Sequence, residues 1–254
     1  MPEIETSTVD AVRILTISNE NKRNAFTDEM QADLLRCLID ADQDPQIRVV
    51  VITGAGQIAF SSGHDIGSLE ESTASDDAHD LKAYLMPLEM GLPVIAAVNG
   101  YCYGAGLILA LSCDLRIGSE NASFGSPGAR LGMLPEGGQI IRLPLLMSRG
   151  RAMEFMLSAK PLSAREAHQS GLINRVVPPG EILKETLCLA GDIASNSPRA
   201  VAAIKRGILL GEREGHQAAH TYEAQIAKEL MHGPDAQEGI QSFLENREPD
   251  FGDR

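Results

Sequence analysis

Strand-like runs recur through the first two-thirds of this sequence and stop at about Pro178. Short β-branched or apolar runs lie at 12–18, 48–53, 93–99, 114–118 and 173–177. Beyond them the apolar spacing becomes helical, over 180–195, 198–210, 216–232 and 235–246. A β-rich core followed by consecutive helices predicts an α/β (α+β) fold with an appended helical region. We place the core at 1–195 and the helical region at 196–254.

Capping signals sharpen several boundaries. Thr27 precedes two acidic residues and is typical of a helix N-cap. Ser163 and Glu166 have the spacing of a capping box, and Gly171 is the expected stop of that helix. The acidic, small-residue stretch 67–80 predicts a loop that could serve as a lid.

Composition excludes several classes of protein. The 254 residues carry a formal net charge of −13, which argues against a nucleic-acid-binding surface. No apolar run is long enough to predict a membrane span, and the acidic start MPEIETSTVD lacks the features of a signal peptide. We therefore expect a cytoplasmic protein. The four cysteines form no CxxC pair, so no metal site is predicted.

Two local patterns suggest sites that their context does not support. The stretch ITGAG at 52–56 follows a strand, but Ile58 and Phe60 stand where a dinucleotide-binding loop needs glycines. A tight glycine turn is the favoured interpretation. His216 and His220 share a helical face, yet HExxH is incomplete and a solvated helix face is expected instead.

Two glycine-rich segments have the composition of a ligand site. They are FSSGHDI at 60–66 and NGYCYGAG at 99–106, the second running into a helix. Small residues allow a ligand to approach the backbone, and a helix N-terminus offers unpaired N–H groups. Two such groups aimed at one oxygen would form an oxyanion hole. Tight turns that only pack a helix on a strand explain the spacing equally well.

Further motifs extend the pattern over the whole chain. They are the tripeptide Arg-Asn-Ala at 23–25, PVIAAVNGYCYGAG at 93–106, SCDLRIGSENASFGSP at 112–127, LGMLPEGG at 131–138, SPRAVAAIK at 197–205 and DAQEGIQSFLENR at 235–247. In this order they resemble the crotonase, or enoyl-CoA hydratase/isomerase, superfamily. The resemblance implies a spiral of ββα units. It also implies an acyl-CoA thioester substrate, and homotrimers or hexamers joined through the helical region.

The resemblance assigns the oxyanion donors to the backbone amides of His64 and Ala105. Hydratases of the superfamily use two glutamates, but this chain has Ile108 and Gly128 at those positions. A single acid, Glu136, stands in LPEGG, where the superfamily's 3,2-enoyl-CoA isomerases carry their catalytic glutamate. Taken alone, Glu136 is better explained as a helix-terminal charge worth about 0.3–1 kcal/mol. Within the matched motif, a catalytic role is favoured.

The resemblance also implies contacts to coenzyme A. The implied residues are Arg23, Ser62, His64, Ile66 and Arg247, the last standing where the superfamily often has a lysine. Coenzyme A enters as part of the substrate, so no separate cofactor is expected. Lys205, on a predicted helix, is interpreted as a solvated surface lysine.

The resulting hypothesis is an enoyl-CoA isomerase that uses Glu136 to move a proton. Simple hydration is disfavoured because both hydratase carboxylates are missing. Two alternatives stay open. One is another enolate reaction on the same scaffold, such as decarboxylation, thioester hydrolysis or C–C cleavage. The other is an acyl-CoA-binding protein without turnover.

Overall fold

A computed structural model describes residues 2–64 and 80–252. Ten strands lie in this part of the chain: β1 Glu3–Val9, β2 Val12–Ser18, β3 Val49–Gly54, β4 Ala59–Ser61, β5 Val94–Val98, β6 Tyr101–Tyr103, β7 Leu115–Ser119, β8 Ser123–Gly125, β9 Leu162–Ser163 and β10 Arg175–Val177. Its ten α-helices are α1 Asp28–Gln43, α2 Lys82–Leu85, α3 Ala105–Ser112, α4 Gln139–Leu146, α5 Arg149–Ser158, α6 Ala164–Ser170, α7 Ile182–Ala194, α8 Pro198–Glu214, α9 His216–Met231 and α10 Pro234–Glu245.

The strands form two sheets. The larger has six strands in the order β1-β2-β3-β5-β7-β10, parallel except for the β1–β2 hairpin. The smaller has four, in the order β4-β6-β8-β9, with only β8 and β9 antiparallel. Successive strands thus alternate between the sheets, since β3, β5 and β7 lie in the first while β4, β6 and β8 lie in the second.

Both faces of the six-stranded sheet are covered. Every residue of β3 is buried, and alternate side chains point to opposite faces, as the pleat requires. Val50 and Ile52 join the main core with α1 and α3, whereas Val49 and Val51 pack with residues of α7. Continuous apolar runs rather than alternating ones are typical of strands buried on both faces.

The predicted helix boundaries agree closely with the structure. The Thr27 hydroxyl accepts from Met30 N–H, which confirms the N-cap of α1. Ser163 and Glu166 form the expected capping box, and Gly171 ends α6 with a φ of +89°. The sequence missed β1, whose exposed and mostly polar residues carry little apolar signal. It also missed the short strands of the second sheet.

The helical region begins with α8, which is attached to the core by an ion pair between a buried lysine and a partly buried aspartate. The Lys205 ammonium group lies 2.8 Å from a carboxylate oxygen of Asp114 and donates to two backbone carbonyls, those of Pro87 and Leu92, at 2.7 Å each. The prediction of a solvated surface lysine was therefore wrong. The position of Lys205 in a helical pattern does not reveal which face of α8 meets the core. The division at residues 195 and 196 stays a prediction.

Two other sequence interpretations are confirmed. The turn after β3 is a tight glycine turn, in which Gly54 exchanges hydrogen bonds with the Asn99 side chain. A Cβ on Gly54 would lie 2.1 Å from the Ala59 carbonyl oxygen. His216 and His220 are both exposed on α9. Among residues 2–64 and 80–252, no helix is long and apolar enough to cross a membrane.

Candidate active site

Pairing in the smaller sheet brings the two glycine-rich segments side by side. Strands β4 and β6 are parallel, with Ser61 opposite Cys102. The contact continues past the strands, because a Cβ on Gly106 would lie 2.6 Å from the Ser61 carbonyl oxygen. Only glycine fits there, so the requirement for a small residue has a direct steric cause.

The segments that carry His64 and Ala105 meet at their glycines. Gly63 has a φ of +105°, and a Cβ on it would lie 3.3 Å from the Ala105 nitrogen. Gly104 has a φ of +52° and precedes α3, so Ala105 is the first helical residue. The N–H of such a residue has no acceptor within its own helix. The structure therefore brings His64 and Ala105 together, and their role as oxyanion donors stays a prediction.

The His64 segment is fixed from two sides. Phe26 and His64 form a parallel β-bridge, in which Phe26 N–H donates to the Gly63 carbonyl at 2.8 Å. The His64 imidazole Nε2 lies 3.2 Å from the hydroxyl of Tyr84. Tyr84 is fully buried in α2, and its ring packs edge-on against both His64 and Phe26. The sequence offered no signal for Tyr84, since α2 has only four residues.

Glu136 lies beside the helix that Ala105 begins. Its neighbour Gly137 has a φ of +66°, and a Cβ there would lie 2.5 Å from Cγ2 of Ile108. Ile108 is one turn along α3 from Ala105 and is buried. Glu136 itself is exposed, and in the described part of the chain its carboxylate has no hydrogen-bond partner. An exposed carboxylate without a structural partner is available for proton transfer.

The loop before Glu136 folds closely around Gly128. Met133 N–H donates to the Gly128 carbonyl at 2.9 Å. A Cβ on Gly128 would lie 3.0 Å from the Met133 carbonyl oxygen and 3.1 Å from the Pro135 nitrogen. A larger residue at position 128 would have to displace this loop. A side chain at position 128 would therefore fit only if the loop shifted by a few tenths of an ångström.

Arg23 and Ser62 lie together at the edge of the glycine-rich segments. Ser62 N–H donates to the Arg23 carbonyl at 3.0 Å, and the Ser62 hydroxyl donates to the Lys22 carbonyl at 3.1 Å. Arg23 adopts a left-handed conformation with a φ of +53°. Its guanidinium lies over the Tyr101 ring, 5.4 Å from the ring centroid. An exposed arginine held over an aromatic ring near a glycine-lined site is suited to bind phosphate.

Arg247 lies in a different environment. Its guanidinium binds Glu238 through two contacts, at 2.6 and 3.0 Å, and Glu245 at 2.7 Å. All its hydrogen bonds to described residues are within the C-terminal segment, and none joins it to Arg23 or His64. Its contact with coenzyme A stays a prediction, as do those of Arg23, Ser62 and His64. Ile66 lies outside the described residues, as does the predicted loop up to residue 79.

Known proteins match this chain over nearly its whole length. Residues 7–254 match the protein-family model described as enoyl-CoA hydratase/isomerase. The 2,3-dehydroadipyl-CoA hydratase of Escherichia coli K12 is 36% identical over 100% of both chains. The carnitinyl-CoA dehydratase of Proteus mirabilis is 34% identical over 94% of both.

Solved structures give the same result for the fold. An enoyl-CoA hydratase from Polaromonas sp. JS666 superimposes with a TM-score of 0.91 and is 31% identical. The match covers 98% of this chain and 99% of that one. A probable enoyl-CoA hydratase/isomerase from Mycobacterium abscessus gives a TM-score of 0.92 at 30% identity, over 99% of this chain and 98% of that one. The predicted fold class is thereby confirmed.

Proposed function

Since the chain belongs to the enoyl-CoA hydratase/isomerase family, we propose that it moves the double bond of an enoyl-CoA thioester from C3 to C2. The observation that carries this proposal is the single carboxylate of Glu136. Its carboxylate is exposed and has no hydrogen-bond partner among the described residues, and the positions of both hydratase glutamates hold Ile108 and Gly128. One acid that gives back the proton it removes is sufficient for isomerisation.

The proposed reaction needs no redox partner. The Glu136 carboxylate removes a proton from C2 of the 3-enoyl thioester, and the electrons of that C–H bond pass to the thioester oxygen. The resulting enolate oxygen accepts hydrogen bonds from the amides of His64 and Ala105, where fixed donors stabilise developing charge. The protonated Glu136 then returns the proton at C4, leaving a C2–C3 double bond.

We also propose that Arg23 binds the phosphates of the coenzyme A portion, with Ser62 beside it. The support is the exposure of the Arg23 guanidinium and its position on the Tyr101 ring. No cofactor besides this thioester substrate is needed. Arg247 is the weaker candidate, because two glutamates already engage its guanidinium.

We further propose that the chain assembles into trimers or hexamers. Large apolar side chains are exposed on α10, where Ile240, Phe243 and Leu244 are 63%, 82% and 78% exposed. Covering them would stabilise an assembly at about 25 cal/mol per Å² of apolar surface. Light scattering should report a mass near three or six times 27.2 kDa. A monomer at micromolar concentration would contradict this proposal.

Hydration or dehydration is the second candidate, and the names of the relatives favour it. It would require Glu136 to handle both water and the α-proton without a second acid. The two candidates differ in their products. Isomerisation converts 3-hexenoyl-CoA into 2-hexenoyl-CoA with no change in mass, whereas hydration of crotonyl-CoA adds one water.

The deciding experiment incubates the protein separately with 3-hexenoyl-CoA and crotonyl-CoA. Chromatography against a 2-hexenoyl-CoA standard detects isomerisation, and mass spectrometry detects added water. We expect isomerisation of the first and negligible hydration of the second. Rapid hydration of crotonyl-CoA would overturn the proposal. In Ile108→Glu, a second carboxylate joins Glu136, and hydration should appear. This variant is preferable to one at Gly128, where a Cβ would lie 3.0 Å from the Met133 carbonyl oxygen and the loop would have to shift.

A further inference from the structure

A hydrogen-bond chain runs from α1 to the segment that carries the first oxyanion amide. The Gln31 side chain on α1 contacts the Asp80 backbone carbonyl through its amide nitrogen. Its amide oxygen accepts from the Tyr84 hydroxyl at 3.2 Å, and that hydroxyl lies 3.2 Å from His64 Nε2. The donor and the acceptor of each hydrogen bond follow from the chemistry of the groups that form it.

The direction of the chain follows from its first link. A backbone carbonyl can only accept, so the Gln31 atom facing Asp80 must be its amide nitrogen. The Gln31 oxygen therefore faces Tyr84 and accepts the single hydroxyl proton. The Tyr84 oxygen is then left as an acceptor toward His64. Only an Nε2–H can complete the last link, which makes Nε2 the donor of the His64 imidazole.

The surroundings keep this arrangement in place. Tyr84 is fully buried. Burial raises the pKa of Tyr84 well above its ordinary value, and the negative charge of Asp28 raises it further. The hydroxyl therefore keeps its proton. The ring contacts to Phe26 and His64, with centroids 5.1 and 5.4 Å away, hold the hydroxyl in line. Phe26 in turn binds the backbone of the same segment through the Gly63 carbonyl.

We infer that Tyr84, oriented by Gln31, is a positioning residue that holds His64 as the Nε2–H tautomer and thereby aims the His64 peptide N–H at the thioester oxygen. The inference rests on the proposed function only for the role of that N–H. The isomerisation step itself belongs to Glu136. The chain of bonds explains why the oxyanion segment carries a histidine whose ring turns toward α2.

Two variants test the tautomer by ¹⁵N NMR of histidine-labelled protein, with His64 assigned among the six histidines by loss of its signals in His64→Asn. Native protein should show the Nε2–H form. In Gln31→Leu, Tyr84 is released to donate toward His64, and the Nδ1–H form should appear. Gln31→Glu keeps an acceptor and should retain Nε2–H. An unchanged tautomer in Gln31→Leu would overturn the inference.

Oxyanion alignment is tested separately with hexadienoyl-CoA, whose absorbance shifts to the red when its carbonyl is polarised. Tyr84→Phe should bind this probe with unchanged affinity but a smaller red shift, and kcat should fall roughly 2- to 10-fold at unchanged KM, the effect of one hydrogen bond. Thr53→Val is the matched control, because it removes a buried hydroxyl bond to the Ala97 carbonyl at 2.9 Å. It should lower stability without changing the red shift.

The two proposals fail in different ways. A full red shift in Tyr84→Phe would overturn the positioning role while leaving isomerisation by Glu136 intact. A protein that binds the probe, shows the predicted tautomer and red-shift changes, and yet isomerises nothing would overturn the proposed function alone.

Discussion

Two carboxylates flank helix α3 in opposite environments. Asp114 follows its C-terminal end, is mostly buried, and accepts from the Lys205 ammonium and from Val94 N–H at 2.7 Å. Glu136 lies near its first turn, is exposed, and has no hydrogen-bond partner for its carboxylate in the described ranges. A fully engaged carboxylate holds the structure together, whereas an unengaged one can exchange a proton. The contrast distinguishes a carboxylate with a structural role from one that is available for proton transfer.

The largest expected effect is on catalysis. Glu136→Gln keeps the size of the side chain but removes the base, so kcat for 3-hexenoyl-CoA should fall by about 10²–10⁴-fold. The melting temperature should stay near the native value, because no structural bond is lost. Glu120→Gln, at another exposed glutamate, is the control and should keep the native rate. Native turnover in Glu136→Gln would show that another group moves the proton.

The next largest effect is on stability. Lys205→Met leaves Asp114 partly buried without its cation, which should cost about 3–5 kcal/mol of unfolding free energy. Urea denaturation followed by circular dichroism measures this loss. Lys228→Met removes an exposed lysine and should change little. If both variants were equally stable, the ion pair would not anchor α8.

A smaller loss is expected where the loop of Glu136 meets α3. Gly137→Ala places a Cβ against Ile108 and forces a left-handed conformation, which costs about 1–2 kcal/mol for the backbone alone. Gly180→Ala is the matched control, because its φ of +85° is similar but no atom lies within 4 Å. The additional loss of unfolding free energy in Gly137→Ala, relative to Gly180→Ala, measures the contact between the new Cβ and Ile108. Combining Gly137→Ala with Ile108→Ala should remove this additional loss. Equal losses at both glycines would mean that the loop yields freely.

Acidification should partly restore Lys205→Met. Burial raises the pKa of Asp114 above its ordinary value, while Lys205 opposes the shift. Without the lysine the folded-state pKa rises further, so the folded protein binds the proton more tightly than the unfolded chain does. Stability therefore increases as pH falls between those two pKa values. Denaturation midpoints of native protein and variant should converge on acidification, and divergence would contradict the assignment.

The smallest effect is expected at the surface of α10. The Glu238 carboxylate accepts hydrogen bonds from Arg247 and from Asp250 N–H. These bonds, that of Arg247 having the larger effect, lower the pKa of Glu238 to about 2. Its contribution is therefore present above the ordinary carboxyl pKa and is lost as pH falls toward 2. Glu238→Gln should lower the melting temperature less than any change above, since surface ion pairs contribute little. A difference that grows on acidification would contradict this sign.

Comparing Glu136 with Asp114 also shows how far the sequence could lead. Glu136 was found through its motif, because LPEGG holds its place in a string of ordered motifs. Asp114 and Lys205 are 91 positions apart in the chain, and nothing in their local sequence pairs them. Their meeting depends on how α8 packs against the core, which is a long-range contact.

The sequence by itself determined the fold class, the switch from strands to helices at about residue 178, and the capped helix boundaries. These depend on local periodicity and on side chains that bond to nearby backbone. Its motifs also indicated His64, Ala105 and Glu136. Only the tertiary structure decided that the glycine-rich segments touch, that Ile108 packs on Gly137, and that Gln31 and Tyr84 orient His64. Those contacts join residues distant in the chain, and their geometry is set by packing that no local pattern encodes.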